Sequence, residues 1–361
     1  MRQIAAARLP RGSPILRLMA DEADRTPASA RGPLRVACYG DVQGNRAAHR
    51  AIVAAIREER PDLVIFNGDA LARLPLAHMP DLGPATWAVP FWPQYLRGYP
   101  AFSLLSLVPF PALVHRGARR FLPDRDPEGF APFLDDTAPL RVADAIPYLF
   151  VPGNHDLYRR SDRADVARHF GAPAGALGRE HPDALWFSTD VAGFRFVVLD
   201  TGSDIFLGRN RFPASGRQLR WLDATLADAG ARGLPAIVAL HLPPFSSARE
   251  DRPAPSIAHR IVRGVLDRHR VALVLSGHAH AYERIERPGP GGHPVTYVVS
   301  GGGGAPFHRL APPRRRDPGS RVFVERTLHY VLLELDPHAL RGRAIPVPRA
   351  PDLDRFEVAL R

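Results

Sequence analysis

Five short stretches of this 361-residue chain carry side chains that bind divalent metals. They are Gly40-Asp41, Asn67-Gly68-Asp69, Gly153-Asn154-His155-Asp156, His241 and Gly277-His278-Ala279-His280. Mixed carboxylate, amide and imidazole donors suit Mn, Fe, Zn or Co rather than a thiolate-bound metal. Together they supply enough oxygen and nitrogen ligands for two cations. Two such ions lying a few ångströms apart need a bridging carboxylate, and Asp69, in the central motif, is the candidate. Residues two apart on a strand end point the same way, so His278 and His280 can both face the metals.

Each stretch follows a short apolar run. The runs are Val36–Tyr39, Leu63–Phe66, Tyr148–Val151, Ile237–Leu240 and Val271–Leu275. Short runs rich in Val, Ile and Leu read as buried strands. Ligands gather beyond the carboxyl ends of strands in open α/β sheets, so five polar tips converge on one pocket. A helix is predicted over Asn45–Glu59, with Ala48, Ile52, Ala55 and Ile56 on one face. It joins the first two strands and implies that they pair in parallel. Further helices are predicted over Asp162–Phe170, Ala214–Ala229 and Ser256–Arg268. Phe194–Leu199 reads as another strand, and after His280 the pattern turns antiparallel through Ile285, Val295–Val299 and Leu328–Leu335.

The formal charge is +11, and every basic residue outside histidine is arginine. Such a charge favours anionic partners. The arginines are scattered, however, and no recognised nucleic-acid-binding motif accompanies them, so specific nucleic-acid binding is not expected. Cys38 is the sole cysteine, which excludes an internal disulfide. Residues 1–33 lack a clean apolar core ahead of a cleavage site and read as a loosely ordered extension, with a cytoplasmic location as the default. The catalytic domain is expected over 34–347, followed by a tail at 348–361.

Residues 74–129 interrupt the pattern. They are rich in proline and aromatics, and Gly98–Val114 carries no charge. Pro100, Pro109 and Pro111 argue against a membrane-spanning helix. The segment is expected to be a structured insertion: a helical cap, or a hydrophobic lid or interfacial surface. In the second case, Arg97, Arg116, Arg119 and Arg120 would meet anionic headgroups in a peripheral membrane contact.

The order Gly40-Asp41-x-x-Gly44-Asn45, Gly68-Asp69, Gly153-Asn154-His155-Asp156, His241 and Gly277-His278-x-His280 resembles the calcineurin-like metallophosphoesterase superfamily. Gly277–Arg284, Gln218-x-x-Trp221-Leu222 and Gly301–Gly304 are similar to its purple acid phosphatase branch. The resemblance implies a four-layer α/β/β/α sandwich of two mixed sheets, and hydrolysis of phosphate esters, mono- or diesters, of a small molecule or a lipid. It implies one metal on Asp41, Asp69 and His280, and another on Asp69, Asn154, His241 and His278, with a metal-bridging hydroxide. It also implies that Asn154 and His155 contact the phosphate, that His155 donates a proton to the leaving oxygen, and that Asp156 orients the His155 ring.

Three positions depart from the family pattern or extend it. Gln43 stands where a ligating histidine is usual, and it can offer only a carbonyl oxygen. Ala72 stands where purple enzymes carry their tyrosine, so no charge-transfer colour is expected. Arg73 stands where related phosphatases carry a phosphate-binding arginine. The rival expectation is a membrane-interface or nucleic-acid-binding protein with a weakened, accessory metal site.

Overall fold

The structure is a computed structural model. It describes residues 32–72, 128–157, 160–171, 185–201, 216–249 and 258–360. Arg73 and nearly all of the expected insertion lie outside the described residues, as does the extension up to residue 31.

Two mixed sheets form the body of the protein. The first has six described strands in the order β13-β12-β11-β1-β2-β3, where β1 is Leu34–Tyr39, β2 Leu63–Phe66, β3 Tyr148–Phe150, β11 His329–Leu335, β12 Ala339–Pro346 and β13 Asp354–Ala359. The second has seven in the order β10-β8-β9-β7-β6-β5-β4. Here β4 is Phe187–Val191, β5 Phe194–Val198, β6 Ala236–Ala239, β7 Val271–Ser276, β8 Tyr282–Pro288, β9 Pro294–Ser300 and β10 Ser320–Val324. Strands β1, β2 and β3 run parallel, as do β5, β6, β7 and β9.

Side-chain alternation builds the layers. Val36, Cys38, Leu63 and Ile65 point between the sheets, where they meet Phe196, Ile237, Leu273 and Leu275. Their neighbours Ala37, Tyr39, Val64 and Phe66 point the other way, onto Ile52, Val53 and Ile56 of helix α1 (Arg46–Glu59) and Phe133 of α2 (Ala131–Ala138). On the far side, Val197, Val238 and Val274 meet Trp221, Leu222 and Leu226 of α4 (Arg217–Ala231). Helix α3 (Arg160–Phe170) joins the first helical layer through Val166 and Phe170. Each central strand is covered on both faces, so its sequence is continuously apolar rather than alternating. The result is the four-layer α/β/β/α sandwich.

Two expectations are corrected. The expected tail at 348–361 holds a strand: β13, Asp354–Ala359, pairs antiparallel with β12 and forms the edge of the first sheet. Phe356 and Val358 pack partly buried against the core, while Arg355 and Glu357 face solvent. The single helix expected over Ser256–Arg268 is instead a wide turn at Ala258–Arg263 and a tight one at Leu266–Arg268. Gly264 and the β-branched Ile261, Val262 and Val265 are poor helix formers there. After His280, β8 is antiparallel to both neighbours as expected, but β9 also lies parallel to β7.

Candidate metal centre

The parallel strands of both sheets end at one edge, and their tips interlock. Asn67, just past β2, donates from its side chain to Ser276 O (2.9 Å) and to Cys38 Sγ (3.1 Å). Both Asp41 carboxylate oxygens accept the His278 backbone N–H at 3.0 Å. Gly277 N donates to His241 O (3.1 Å), and Ala305 N to Asp41 O (2.9 Å). These bonds tie the ends of β1, β2, β6, β7 and β9 into one surface.

The backbone there is strained. Asp41, Gln43, Asp69 and His278 have φ of 63°, 41°, 61° and 65°. This left-handed region costs a non-glycine residue about 1–3 kcal/mol, and such strain gathers at functional sites. Two glycines allow the close approach. Gly68 has φ 93°, and a Cβ on it would lie 2.7 Å from both Gly153 N and His241 Nδ1. A Cβ on Gly277 would lie 2.5 Å from Asp41 Oδ2.

Asp69 stands at the centre. One oxygen or nitrogen from each of Asp69, His241 and His278 lies within 4.8 Å of the others, and the same holds for Asp41, Asp69 and His280. Asn154 Oδ1 completes the first set, 2.9 Å from His241 Nε2 and 2.8 Å from His278 Nδ1. Outer contacts fix the rings. His241 Nδ1 donates to Asn67 O (2.6 Å) and His280 Nδ1 to Pro306 O (2.7 Å), so each ring turns its Nε2 inward.

The electrostatics fit cations. Asp41, Asp69 and Asp156 are all fully buried. Burial holds the Asp41 carboxyl well above its ordinary range, with Asp69 adding to the rise. Burial also raises Asp69, but the charges of His241 and His155 outweigh it and hold the carboxylate well below its ordinary range. Burial pulls His241 down, yet Asp69 beside it brings the ring up to about 9. Burial holds His278 well below its ordinary value and His280 at about 4, so both are neutral donors near pH 7. A buried group of carboxyls, one amide oxygen and three imidazoles is a donor set for two divalent ions, with His241 giving up a proton as a cation binds.

The other expected residues fall as follows. Gln43 reaches the site, but its amide nitrogen faces inward, donating to Asp69 Oδ2 (3.2 Å) and lying 3.3 Å from His280 Nε2. A ligating carbonyl needs the amide turned over. His155 is buried, donates from its backbone to Asp69 Oδ1 (2.9 Å), and has Nε2 at 3.8 Å from Asp69 Oδ2. Asp156 has a further role. Its carboxylate accepts from the backbone N–H groups of Asp69, Ala70, Leu71 and Gly153 at 2.9–3.2 Å, so it clamps the loops that carry Asp69 and His155. Burial, then Asp69, raises it to about 7.

Three neighbours of the ligands carry no role read from sequence: Asn67, Pro306, and His308, whose ring stacks on that of His280. Asn67 had a faint signal, its place before Gly68-Asp69 at a strand end. Pro306 acts through a carbonyl, which no residue type betrays. Gln218 was noted only as part of a motif. It is fully buried, accepts from Asp200 N (2.8 Å) and donates to Asp200 O (3.1 Å), which holds the end of β5.

A four-layer sandwich with two ligand sets sharing one aspartate at a common sheet edge has the fold and site of a metallophosphoesterase. The calcineurin-like phosphoesterase family matches residues 34–282, and the chain belongs to that family. It is 26% identical over 265 residues to purple acid phosphatase 23 of Arabidopsis thaliana, covering 72% of this chain and 50% of that protein. It is 33% identical over 104 residues to purple acid phosphatase 22 of the same plant, covering 28% of this chain and 22% of that one. The chain thus spans half or less of the length of these relatives. Among solved structures, GAP50, the anchor in the inner membrane complex of Plasmodium, is similar with a TM-score of 0.59 and 14% identity, over 92% of this chain and 90% of that one. A dimetal phosphatase from Danio rerio matches with a TM-score of 0.52 and 16% identity, over 92% and 100%. At these identities the likeness to the solved structures is one of fold. Among the described residues no helix is long and apolar enough to cross a membrane.

Proposed function

We propose that this chain hydrolyses phosphate esters, of a phosphorylated small molecule or a lipid, using two divalent cations such as Mn, Fe or Zn. The observation that carries the proposal is the sharing of Asp69 between two ligand sets, Asp41-Asp69-His280 and Asp69-His241-His278. Asn154 Oδ1 adds to the second set. When bound, the cations supply Lewis acidity that makes water nucleophilic near neutral pH, and charge that stabilises the phosphoryl group in the transition state.

The chain's own residues do the rest. His155 lies beside the shared carboxylate with its backbone pinned to Asp69 Oδ1, so its ring is held at the edge of the centre. From there it gives its proton to the leaving oxygen as the P–O bond breaks, and it recovers a proton from solvent after the alcohol departs. Asp156 keeps the loops of Asp69 and His155 in register through its four backbone bonds. The buried walls exclude bulk water, which strengthens every charge interaction inside.

The test is hydrolysis of p-nitrophenyl phosphate and bis-p-nitrophenyl phosphate by protein loaded with Mn, Zn or Fe. Turnover is expected, with His155→Ala losing about 10²–10⁴-fold in kcat while keeping its metal. Two metals bound per chain with neither ester cleaved overturns the proposal.

A further inference from the structure

We infer that His308 is a substrate-contacting residue, whose Nε2–H donates to a phosphoryl oxygen on the Asp41–His280 side of the centre; this rests on the phosphoesterase reading. His308 follows the Gly301–Gly304 loop and packs against His280 through three contacts. Its backbone N–H donates to His280 O (3.0 Å), its Nδ1 accepts from the His280 backbone N–H (3.2 Å), and the two rings stack with centroids 4.2 Å apart and planes 22° apart.

These contacts fix the proton. An Nδ1 that accepts from a peptide N–H holds the lone pair, so the neutral ring carries its hydrogen on Nε2. They also fix the direction. Nδ1 is turned toward the His280 main chain, so the opposite Cδ2–Nε2 edge is turned toward the far end of the stack. At that end His280 Nε2 meets Gln43 (3.3 Å) and Asp41 (3.6 Å). Among the described residues, no hydrogen bond involves His308 Nε2, and the ring is half-buried at the rim. A donor oriented by its neighbour and lacking a protein acceptor suits an oxygen of the bound ester. His155 lies by Asp69, so the two imidazoles would grip the phosphoryl group from different sides. The contact is a hydrogen bond alone, with no proton transferred.

The test separates the two nitrogens. His308→Asn keeps an acceptor near the His280 N–H but has no distal donor. His308→Gln reaches far enough to restore a donor near Nε2. Both are loaded with manganese, their metal content is measured, and KM for p-nitrophenyl phosphate and the affinity for inorganic phosphate are compared with wild type. The Asn variant is expected to keep its metal, to bind phosphate about tenfold more weakly and to show a KM raised to match, with the Gln variant recovering most of the loss. Wild-type behaviour in the Asn variant overturns the assignment, and so does equal loss in both variants with metal released, which would make His308 a support for His280 only. If wild type binds phosphate but cleaves neither ester, the hydrolase proposal fails while the Asn–Gln contrast in phosphate affinity still decides the role of His308. Absence of phosphate binding by the metal-loaded wild type overturns both.

Discussion

The Gln43 amide nitrogen donates to Asp69 Oδ2 across 3.2 Å, where the family pattern would place an imidazole. An amide that spends its donor on the shared carboxylate competes with the cation for that carboxylate, and its carbonyl is the weaker ligand. Gln43→His is therefore expected to tighten the site of Asp41 and His280 by about tenfold or more, about 1.4 kcal/mol. The φ of 41° at position 43 does not forbid the change, since histidine is among the residues enriched in the left-handed region. Stepwise metal titration by calorimetry checks it. One unchanged weak step would show that Gln43 does not limit affinity.

Asp69→Asn tests the shared carboxylate. The amide is nearly isosteric, so the fold should persist by circular dichroism. Both metals should weaken by at least about a hundredfold, since even outer-shell losses reach that size. The metal-free variant offers a second readout. Asp69 holds His241 up at about 9 against burial. With the charge removed, burial dominates and the His241 pKa should fall steeply, which NMR titration can follow. Retention of a value near 9 would mean that Asp41, not Asp69, sets it.

Much of this site could be read from residue types. Asp41, Asp69, Asn154, His241, His278 and His280 each follow an apolar run, and a strand covered on both faces leaves a clear sequence mark. The supports around them leave none. Pro306 contributes only a carbonyl, and His308 meets His280 across 28 positions of sequence. Asp156 is legible as the last residue of Gly153-Asn154-His155-Asp156 but not as a backbone clamp, because four N–H groups are invisible to residue identity. In the fold, β13 escaped notice because Arg355 and Glu357 face solvent, so the strand resembles a polar tail. The register with β12 that makes it a strand is a long-range property.

Gly277→Ala probes the fit between β7 and β1. The new Cβ would sit 2.5 Å from Asp41 Oδ2, and Asp41 is pinned by the His278 N–H. Neither group can yield without moving a ligand. The expected result is a stability loss of about 1–3 kcal/mol in denaturant unfolding, with metal binding impaired beyond the stability change. A folded variant with full metal content would show that the tip is more pliable than its contacts suggest.

His49 makes the outer face of the first sheet sensitive to acid. Its ring is buried between the sheet and α2, with Nε2 2.9 Å from Tyr39 Oη and the ring stacked 4.9 Å from Phe133. Burial lowers its pKa to about 4, although Asp136, 3.5 Å from Nδ1, pulls the other way. In the unfolded chain the ring takes its proton near 6.5, whereas the folded protein resists until about 4. The unfolded state therefore binds more protons across that window, and stability falls as pH drops through it. The gap corresponds to about 3 kcal/mol of stability, fully present above pH 7 and lost near pH 4. Buried His329, also lowered to about 4 by burial, adds a slope of the same sign, so the measurement must be a difference between variants. His49→Gln removes the titration while keeping a polar group near Tyr39. Its unfolding free energy should fall less than that of wild type between pH 7 and pH 4.5. Parallel profiles for the two proteins would show that the ring does not stay neutral in the folded state.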